Sequence, residues 1–267
     1  MECLKIDNIT KVYKGNKKEP DKIVLKDISF SINEGEFVCL LGPSGCGKTT
    51  LLTMMGGFLE PTSGKILLDG NEIKGPGSER GYVFQNYALF PWMTVKENIA
   101  YGLKFSTKTK EEKEERVKYL INMARLNGNE KKFPIQLSGG MQQRVAVARA
   151  LAGFPRVLLL DEPLGAIDFQ MRELLQNELD QMVQEAHITA VMVTHDVSES
   201  VFMSDRVIVL GNNHGHIVSD YKIDLPRRRD RESEEFKKCV TELTSLVRIA
   251  FNENITAGEA CIMKRRK

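Results

Sequence analysis

Phe37-Val-Cys-Leu-Leu41, Gly42-Pro43-Ser44-Gly45-Cys46-Gly47-Lys48-Thr49-Thr50 and Leu51-Leu-Thr-Met-Met55 follow one another without a break. An apolar run of strand length, a loop punctuated by glycines and an apolar helix start form the context that makes G-x-x-x-x-G-K-[ST] a phosphate site. Gly42, Gly45 and Gly47 permit backbone angles and close approaches that a Cβ would block, so successive N–H groups can converge on a phosphate. The helix start near Lys48 adds the positive end of its dipole. Lys48 would reach the β/γ oxygens as a point charge, and the Thr49 hydroxyl would ligate Mg²⁺.

Length and composition set the outer limits. A chain of 267 residues with 28% charged side chains and a formal net charge of +2 predicts an ordinary globular core and no demand for nucleic acid. Its five cysteines, Cys3, Cys39, Cys46, Cys239 and Cys261, show no metal spacing and predict reduced thiols. No apolar run approaches the roughly 18 residues that cross a bilayer, and the N-terminus lacks a signal-peptide core. Any membrane role is expected to run through a partner.

Outward from the loop, the text alternates between strands and helices. Leu4, Ile6, Ile9 and Val12 mark a strand that ends at Tyr13, and Ile28 to Ile32 marks another. Tyr13 is open to two readings, an edge-strand aromatic or a ring that stacks on adenine. Lys65 to Gly70 is a strand closed by an Asp-Gly turn, and Gly81 to Phe84 is a strand that delivers Gln85. Val95 to Tyr119 reads as helical, with a solvated Glu/Lys face over Lys108 to Lys118. Ser138 stands as N-cap before Gly139, Gly140 and the alanine-rich helix of Val145 to Ala152, which gives a second anion-seeking helix terminus.

Val157-Leu-Leu-Leu-Asp161-Glu162 is unbroken and apolar until its last two residues, as a central parallel strand buried on both faces would be. Two carboxylates at such a tip require a counter-ion, because burying charge is costly. The Mg²⁺ that accompanies a nucleotide would supply it, with Asp161 on the metal directly or through water and Glu162 placed to polarise an attacking water. An amphipathic helix follows from about Phe169 to Glu185. Thr189 to Thr194 is the next buried strand and delivers His195, which would lie beside Glu162 if the two strands are neighbours. Val207 to Leu210 and His216 to Ser219 read as a hairpin, and Phe236 to Phe251 as a helix with Phe236, Val240, Leu243 and Val247 on one face. Arg227 to Arg231 and Lys264 to Lys267 read as solvated basic clusters. Trp92, the one tryptophan, is open to a core role or an exposed role at a partner surface.

Together these motifs resemble the ATP-binding cassette ATPases, the nucleotide-binding subunits of ABC transporters, over nearly the whole chain. Leu137-Ser-Gly-Gly-Met141 is similar to the signature that other phosphate-loop proteins lack. Gln85, Asp161-Glu162, Asp168 and His195 resemble that family's Q-loop, Walker B, D-loop and H-switch, and Tyr13 its adenine-stacking ring. The resemblance implies an α/β P-loop NTPase cassette with a RecA-like core, an N-terminal antiparallel β subdomain and a helical signature subdomain. Residues 1–235 would form the ATP-binding domain, with the helical part at about 86–155, and residues 236–267 a helical extension with a basic tail. Glu162, His195, Gln85 and Lys48 would be catalytic, and Thr49, Gln85 and Asp161 would attend the metal. Tyr13, Gly42, Pro43, Ser44, Gly45, Cys46, Gly47, Lys48, Thr49, Thr50, Ser138, Gly139, Gly140, Gln142 and Asp168 would contact ATP.

The resemblance also implies a head-to-tail homodimer with ATP between one copy's phosphate loop and the other's Ser138-Gly139-Gly140. Permease subunits, and indirectly an extracytoplasmic substrate-binding protein, would be its partners at the cytoplasmic face of the membrane. Gly75 to Gln85, Leu89 to Asn98 and Leu225 to Arg231 look like the nitrate/sulfonate/taurine importer group, and pyrimidine-precursor importers share much of this text. The D-loop leucine of the family is Ile167 here. Soluble ABC ATPases of the DNA-repair or chromosome class carry long insertions for which this chain has no room. A small-molecule kinase would have no use for Leu137 to Gln142, and a non-hydrolysing module would not keep Glu162 and His195.

Overall fold

The computed structural model describes residues 1–15, 20–165 and 169–264, with side-chain surroundings for 1–15, 20–165 and 171–252. Its contacts divide the chain into two compact units, residues 1–75 with 193–267, and residues 76–192.

In the first unit, β1 (Glu2–Tyr13), β2 (Lys22–Asn33), β4 (Ser63–Leu68) and β5 (Asn71–Glu72) form an antiparallel sheet in the order β2-β1-β4-β5. Its register sets Leu4 opposite Ile32 and Leu68, and Ile6 opposite Phe30 and Ile66, all buried. Alternation in the sequence therefore becomes one apolar face, where each fully buried aliphatic side chain contributes roughly 1.5–3 kcal/mol. Leu68 pairs with Asn71 across Asp69 (φ 47°) and Gly70 (φ 79°). Two positive φ values in succession are what a tight hairpin turn needs, which is why Asp-Gly stands there.

β3 (Phe37–Leu41), buried at every position, runs parallel to β9 (Arg206–Leu210), and β10 (Ile217–Lys222) closes antiparallel on β9. The hairpin expected at the end of the sheet is present. Helices α1 (Lys48–Met55), α6 (Val197–Met203) and α7 (Glu234–Lys264) complete this unit. α7 begins and ends outside the expected Phe236–Phe251 span, and it buries Phe236, Leu243 and Ala250. The last three residues of the basic tail lie outside the described residues.

The run Arg227–Arg231 corrects the sequence reading. It is not a solvated cluster: Arg227, Arg229 and Arg231 alternate inward while Arg228 and Asp230 are exposed. Arg227 pairs with Asp205 at 2.9 Å, Arg231 lies 3.5 Å over the Phe202 ring, and Arg229 is buried among the carbonyls that end α6. Of the three, Arg229 supplies the donors for a helix end that has run out of its own partners, bonding the Val201, Phe202 and Ser204 carbonyls.

In the second unit, β6 (Arg80–Val83) is parallel to β7 (Val157–Asp161), with Gly81 opposite Leu158 and Val83 opposite Leu160. β8 (Thr189–Thr194) is the next strand after β7 and carries the chain across the boundary between the units. The helices of this unit are α2 (Val95–Tyr101), α3 (Lys110–Met123), α4 (Gly139–Ala152) and α5 (Phe169–Ala186). The single helical span expected over Val95–Tyr119 is thus two helices, each started by its own capping box: Thr94 with Glu97, and Thr109 with Glu112. α4 lies close against its surroundings. A Cβ on Gly102 would come within 2.2 Å of the Arg149 carbonyl, and one on Gly81 within 2.8 Å of that of Ala150.

Candidate functional site

The loop Gly42–Gly47 leaves β3 and enters α1 at Lys48, as the spacing predicts. Gly45 (φ 83°) and Gly47 (φ 102°) both take left-handed backbone. A Cβ on Gly45 would meet nothing within 4 Å, so the loop presents open backbone there. Behind the loop there is no room. A Cβ on Gly47 would come 2.7 Å from Leu25 Cδ2, and one on Gly42 would come 2.3 Å from the Leu210 carbonyl. Gly215, in the β9–β10 turn, stands equally close, its notional Cβ 2.5 Å from the Cys46 carbonyl and 2.7 Å from the same Leu25 methyl. The loop is therefore braced from its rear by β2 and by the hairpin.

Lys48 is 5% exposed, and its ammonium donates to the Gly42 and Pro43 carbonyls, both at 2.8 Å. It lies 3.9 Å from the Cys46 sulfur. Burial raises the Cys46 thiol pKa, an effect that Lys48 opposes. Thr49 and Ser44 are exposed, Pro43 is buried and Thr50 is half-buried. Such a loop fits a phosphate: its glycines keep the backbone open on one side, and a buried ammonium supplies charge at its centre. Tyr13 is 44% exposed at the end of β1, with the Lys11 ammonium 5.3 Å from its ring. His195 is exposed at the end of β8.

The second unit brings the carboxylates and Gln85 together. Asp161 is 8% exposed, and Glu162 follows it with φ 43°, a conformation that costs a residue bearing a Cβ. Gln85 Nε2 donates to Glu162 Oε2 at 3.2 Å. Among the described residues no group of three or more His, Cys, Asp or Glu side chains could hold a metal alone. The Thr49 hydroxyl and the Asp161 carboxylate are oxygen donors of the kind Mg²⁺ takes.

Ser138 caps α4, its Oγ accepting from the Met141 N–H at 3.3 Å. Ser138 and Gly139 are exposed, and a Cβ on Gly139 would meet only the Tyr87 hydroxyl, at 3.9 Å. Gly140 is packed instead, its notional Cβ 2.6 Å from Leu175. Gln142 turns back to donate to the Pro134 carbonyl at 3.0 Å and the Leu137 carbonyl at 3.2 Å, holding the approach to the cap. Asp168 lies outside the described residues, as does Ile167.

Sequence reasoning missed Arg149. From α4 its guanidinium donates to the Ala88 carbonyl at 2.8 Å and the Tyr87 carbonyl at 2.9 Å, and it lies 5.5 Å over the Phe90 ring. Tyr87 (φ 61°) and Ala88 (φ 44°) are both left-handed without being glycine, so this two-pronged bond holds the segment after Gln85 in a strained shape. Desolvation lowers the Arg149 pKa without threatening its charge. Further along, Phe90 packs on Tyr101 with ring centroids 4.5 Å apart, while Trp92 is 70% exposed and so is not a core residue.

The family model for ABC transporters matches residues 25–165. The chain is 47% identical to the uncharacterized ABC transporter ATP-binding protein MJ0412 of Methanocaldococcus jannaschii over 92% of its own length and 91% of that protein's. It is 41% identical to the nitrate import ATP-binding protein NrtD of Synechocystis sp. over 92% and 95%. The aliphatic sulfonates import ATP-binding protein SsuB of Bacillus licheniformis is 43% identical over 86% and 91%. Relatives named for bicarbonate transport and for spermidine/putrescine import also match, the chain spanning 53% and 60% of the length of two of the latter. Among solved structures, the ATP-binding cassette MJ0796, a dimer in a post-hydrolysis state bound to ADP and Pi, aligns with a TM-score of 0.71 at 34% identity, over 84% of this chain and all of that one. The α/β cassette expected from the sequence is the fold observed. A model match across more than half of the chain and relatives aligned along nearly all of it show that this chain belongs to the ABC transporter family, as one of its ATP-hydrolysing cassettes.

Proposed function

We propose that this chain is the ATP-hydrolysing subunit of an importer for a small anionic solute of the nitrate, sulfonate or taurine type. The glycine loop carries the reading, with its open backbone at Gly45 and the buried Lys48 ammonium at its centre. In the working enzyme Lys48 moves from its carbonyls to the β/γ-phosphate oxygens, and Gly42 to Thr50 wrap the phosphates. Thr49 and Asp161 would hold Mg²⁺, with Gln85 beside it; the ion offsets charge on the transferring phosphoryl group. Glu162, tethered by Gln85, orients and polarises the attacking water. His195 bonds the γ-phosphate, and Tyr13 stacks on adenine.

Two copies act together head to tail, and the exposed Ser138 and Gly139, with Gly140 and Gln142 beside them, close over ATP held by the partner; Asp168 is a further residue that would contact ATP. Two helix N-termini then face one triphosphate, so loss of the γ-phosphate removes what holds like-signed dipole ends together. Residues 1–235 are the ATP-binding domain, with the helical part at about 86–155 bearing the exposed Trp92 toward a permease at the cytoplasmic face of the membrane. Residues 236–267 are a helical extension, and the system includes an extracytoplasmic substrate-binding protein. No helix among the described residues is long and apolar enough to cross a membrane, which supports a role through such partners. Support for an oxyanion cargo is that NrtD and SsuB are matched over nearly their full length, whereas the spermidine/putrescine proteins are matched over little more than half of theirs.

Glu162→Gln tests the reading. Turnover is expected to fall at least about a hundredfold, while size-exclusion chromatography with Mg-ATP shows a stable dimer. A variant that hydrolyses at the wild-type rate, or that stays monomeric at saturating Mg-ATP, overturns it.

A further inference from the structure

His195 sits at a two-residue corner between the end of β8 at Thr194 and the start of α6 at Val197. Its side chain is exposed, so packing alone does not aim it. The corner itself is held from within. The Thr194 hydroxyl donates to the Glu199 carboxylate and accepts from the Asp196 N–H at 3.1 Å. The Asp196 carboxylate in turn accepts from the Glu199 N–H at 3.0 Å, and its carbonyl accepts from the Ser200 N–H at 3.1 Å. Both chain neighbours of His195 are thereby tied to one residue, Thr194 through the Glu199 side chain and Asp196 through the Glu199 backbone. The anchor is deep, with Thr194 2% and Glu199 5% exposed. A buried carboxylate is expensive, and an apolar residue would fill the same space at lower cost. What an apolar residue would not do is accept the Thr194 hydrogen bond and close the ring.

We propose that Thr194 and Glu199 are positioning residues for ATP hydrolysis. By fixing the corner they present the His195 imidazole to the γ-phosphate, and they touch neither nucleotide nor water themselves. This rests on the role given to His195 under the proposed function. It predicts that their effect on turnover passes through His195, which a residue serving only the stability of the fold would not show.

A double-mutant cycle on the full chain reads this directly, with kcat, KM, ATP affinity and Tm measured for each variant. Thr194→Val keeps the shape and removes the hydroxyl; kcat is expected to fall between about tenfold and a hundredfold with ATP affinity held within about twofold. Thr194→Ser restores the hydroxyl and most of the rate. In a His195→Ala background Thr194→Val should cost less than about twofold more. If Thr194→Val does not fold, Glu199→Gln takes its place: it retains an acceptor and the volume but not the charge, and its smaller kcat loss should likewise vanish beside His195→Ala. Effects that multiply in the double variant, or a Thr194→Val enzyme with wild-type kcat, overturn the inference. Wild-type turnover in His195→Ala alone overturns the role of His195 and this inference with it.

Discussion

Arg229 gives the most direct test of how the end of α6 is held. Its Nη1 donates to the carbonyls of Val201, of Ser204 at 2.6 Å and of Phe202 at 3.3 Å. Its Nε and Nη2 share the Leu225 carbonyl at 3.3 and 3.1 Å. Arg229→Met keeps the stem and removes every donor, leaving carbonyls of the last helical turn buried without this partner. Hydrogen bonds from a charged donor contribute about 1.5–3 kcal/mol each. They share one guanidinium, whose release from a buried site refunds part of the loss, so the net cost is expected at about 3–5 kcal/mol rather than the full sum. At roughly 2–4 °C per kcal/mol for a chain of this size, that lowers Tm by about 10 °C. Arg228→Met, one residue away and exposed, should stay within about 0.5 kcal/mol. Urea denaturation and thermal melts of both variants decide the matter. Equal stability of the two, or a loss below about 1 kcal/mol for Arg229→Met, would refute the inward alternation of this segment.

Ser138→Arg places a long cation at the exposed cap of α4, and ATP-dependent dimerisation should fail while ATP binding to the monomer stays unchanged; weakened monomer binding would show that Ser138 serves its own copy's nucleotide instead. The capping box of α2 carries a pH signature. Glu97 accepts from the Thr94 N–H at 2.7 Å and the Thr94 hydroxyl at 2.8 Å, which holds its pKa below the ordinary 4.5. A depressed folded pKa means that the contribution is complete above the unfolded value and is lost as pH falls through the folded one. Amide exchange at the start of α2, corrected for the intrinsic pH dependence of exchange, should therefore rise as pH drops below about 4.5, and Glu97→Gln should flatten that rise. Equal pH dependence in the two proteins would remove the cap from the account.

What could be read from the letters was the chemistry that local backbone demands. The glycine loop, the Asp69-Gly70 turn and the Ser138 cap each require particular residues at fixed offsets, and each stands where expected. The T-x-x-E pairs at Thr94 and Thr109 carry the same kind of signal, and the second marks the break between α2 and α3 inside Val95–Tyr119. Contacts made at long range left no such trace. Arg149 looks like any basic residue on an amphipathic helix until its carbonyl partners, 61 and 62 positions earlier, fold beneath it. Arg227, Arg229 and Arg231 look like a charge run because composition does not record which side chains of a run face inward. Glu199 likewise passes for one more acid near a helix start, although burial makes it the centre of a corner.

The brace behind the glycine loop bears on how the protein is made. Gly215 presses on the Cys46 carbonyl and on the Leu25 methyl that also backs Gly47, and the Leu210 carbonyl leaves no room at Gly42. A nascent chain emerging from the ribosome therefore carries every letter of the phosphate loop long before it carries the wall that shapes it. Until the β9–β10 turn has been synthesised and has docked, the loop lacks the wall that backs it, and affinity for nucleotide is expected to arrive late in translation.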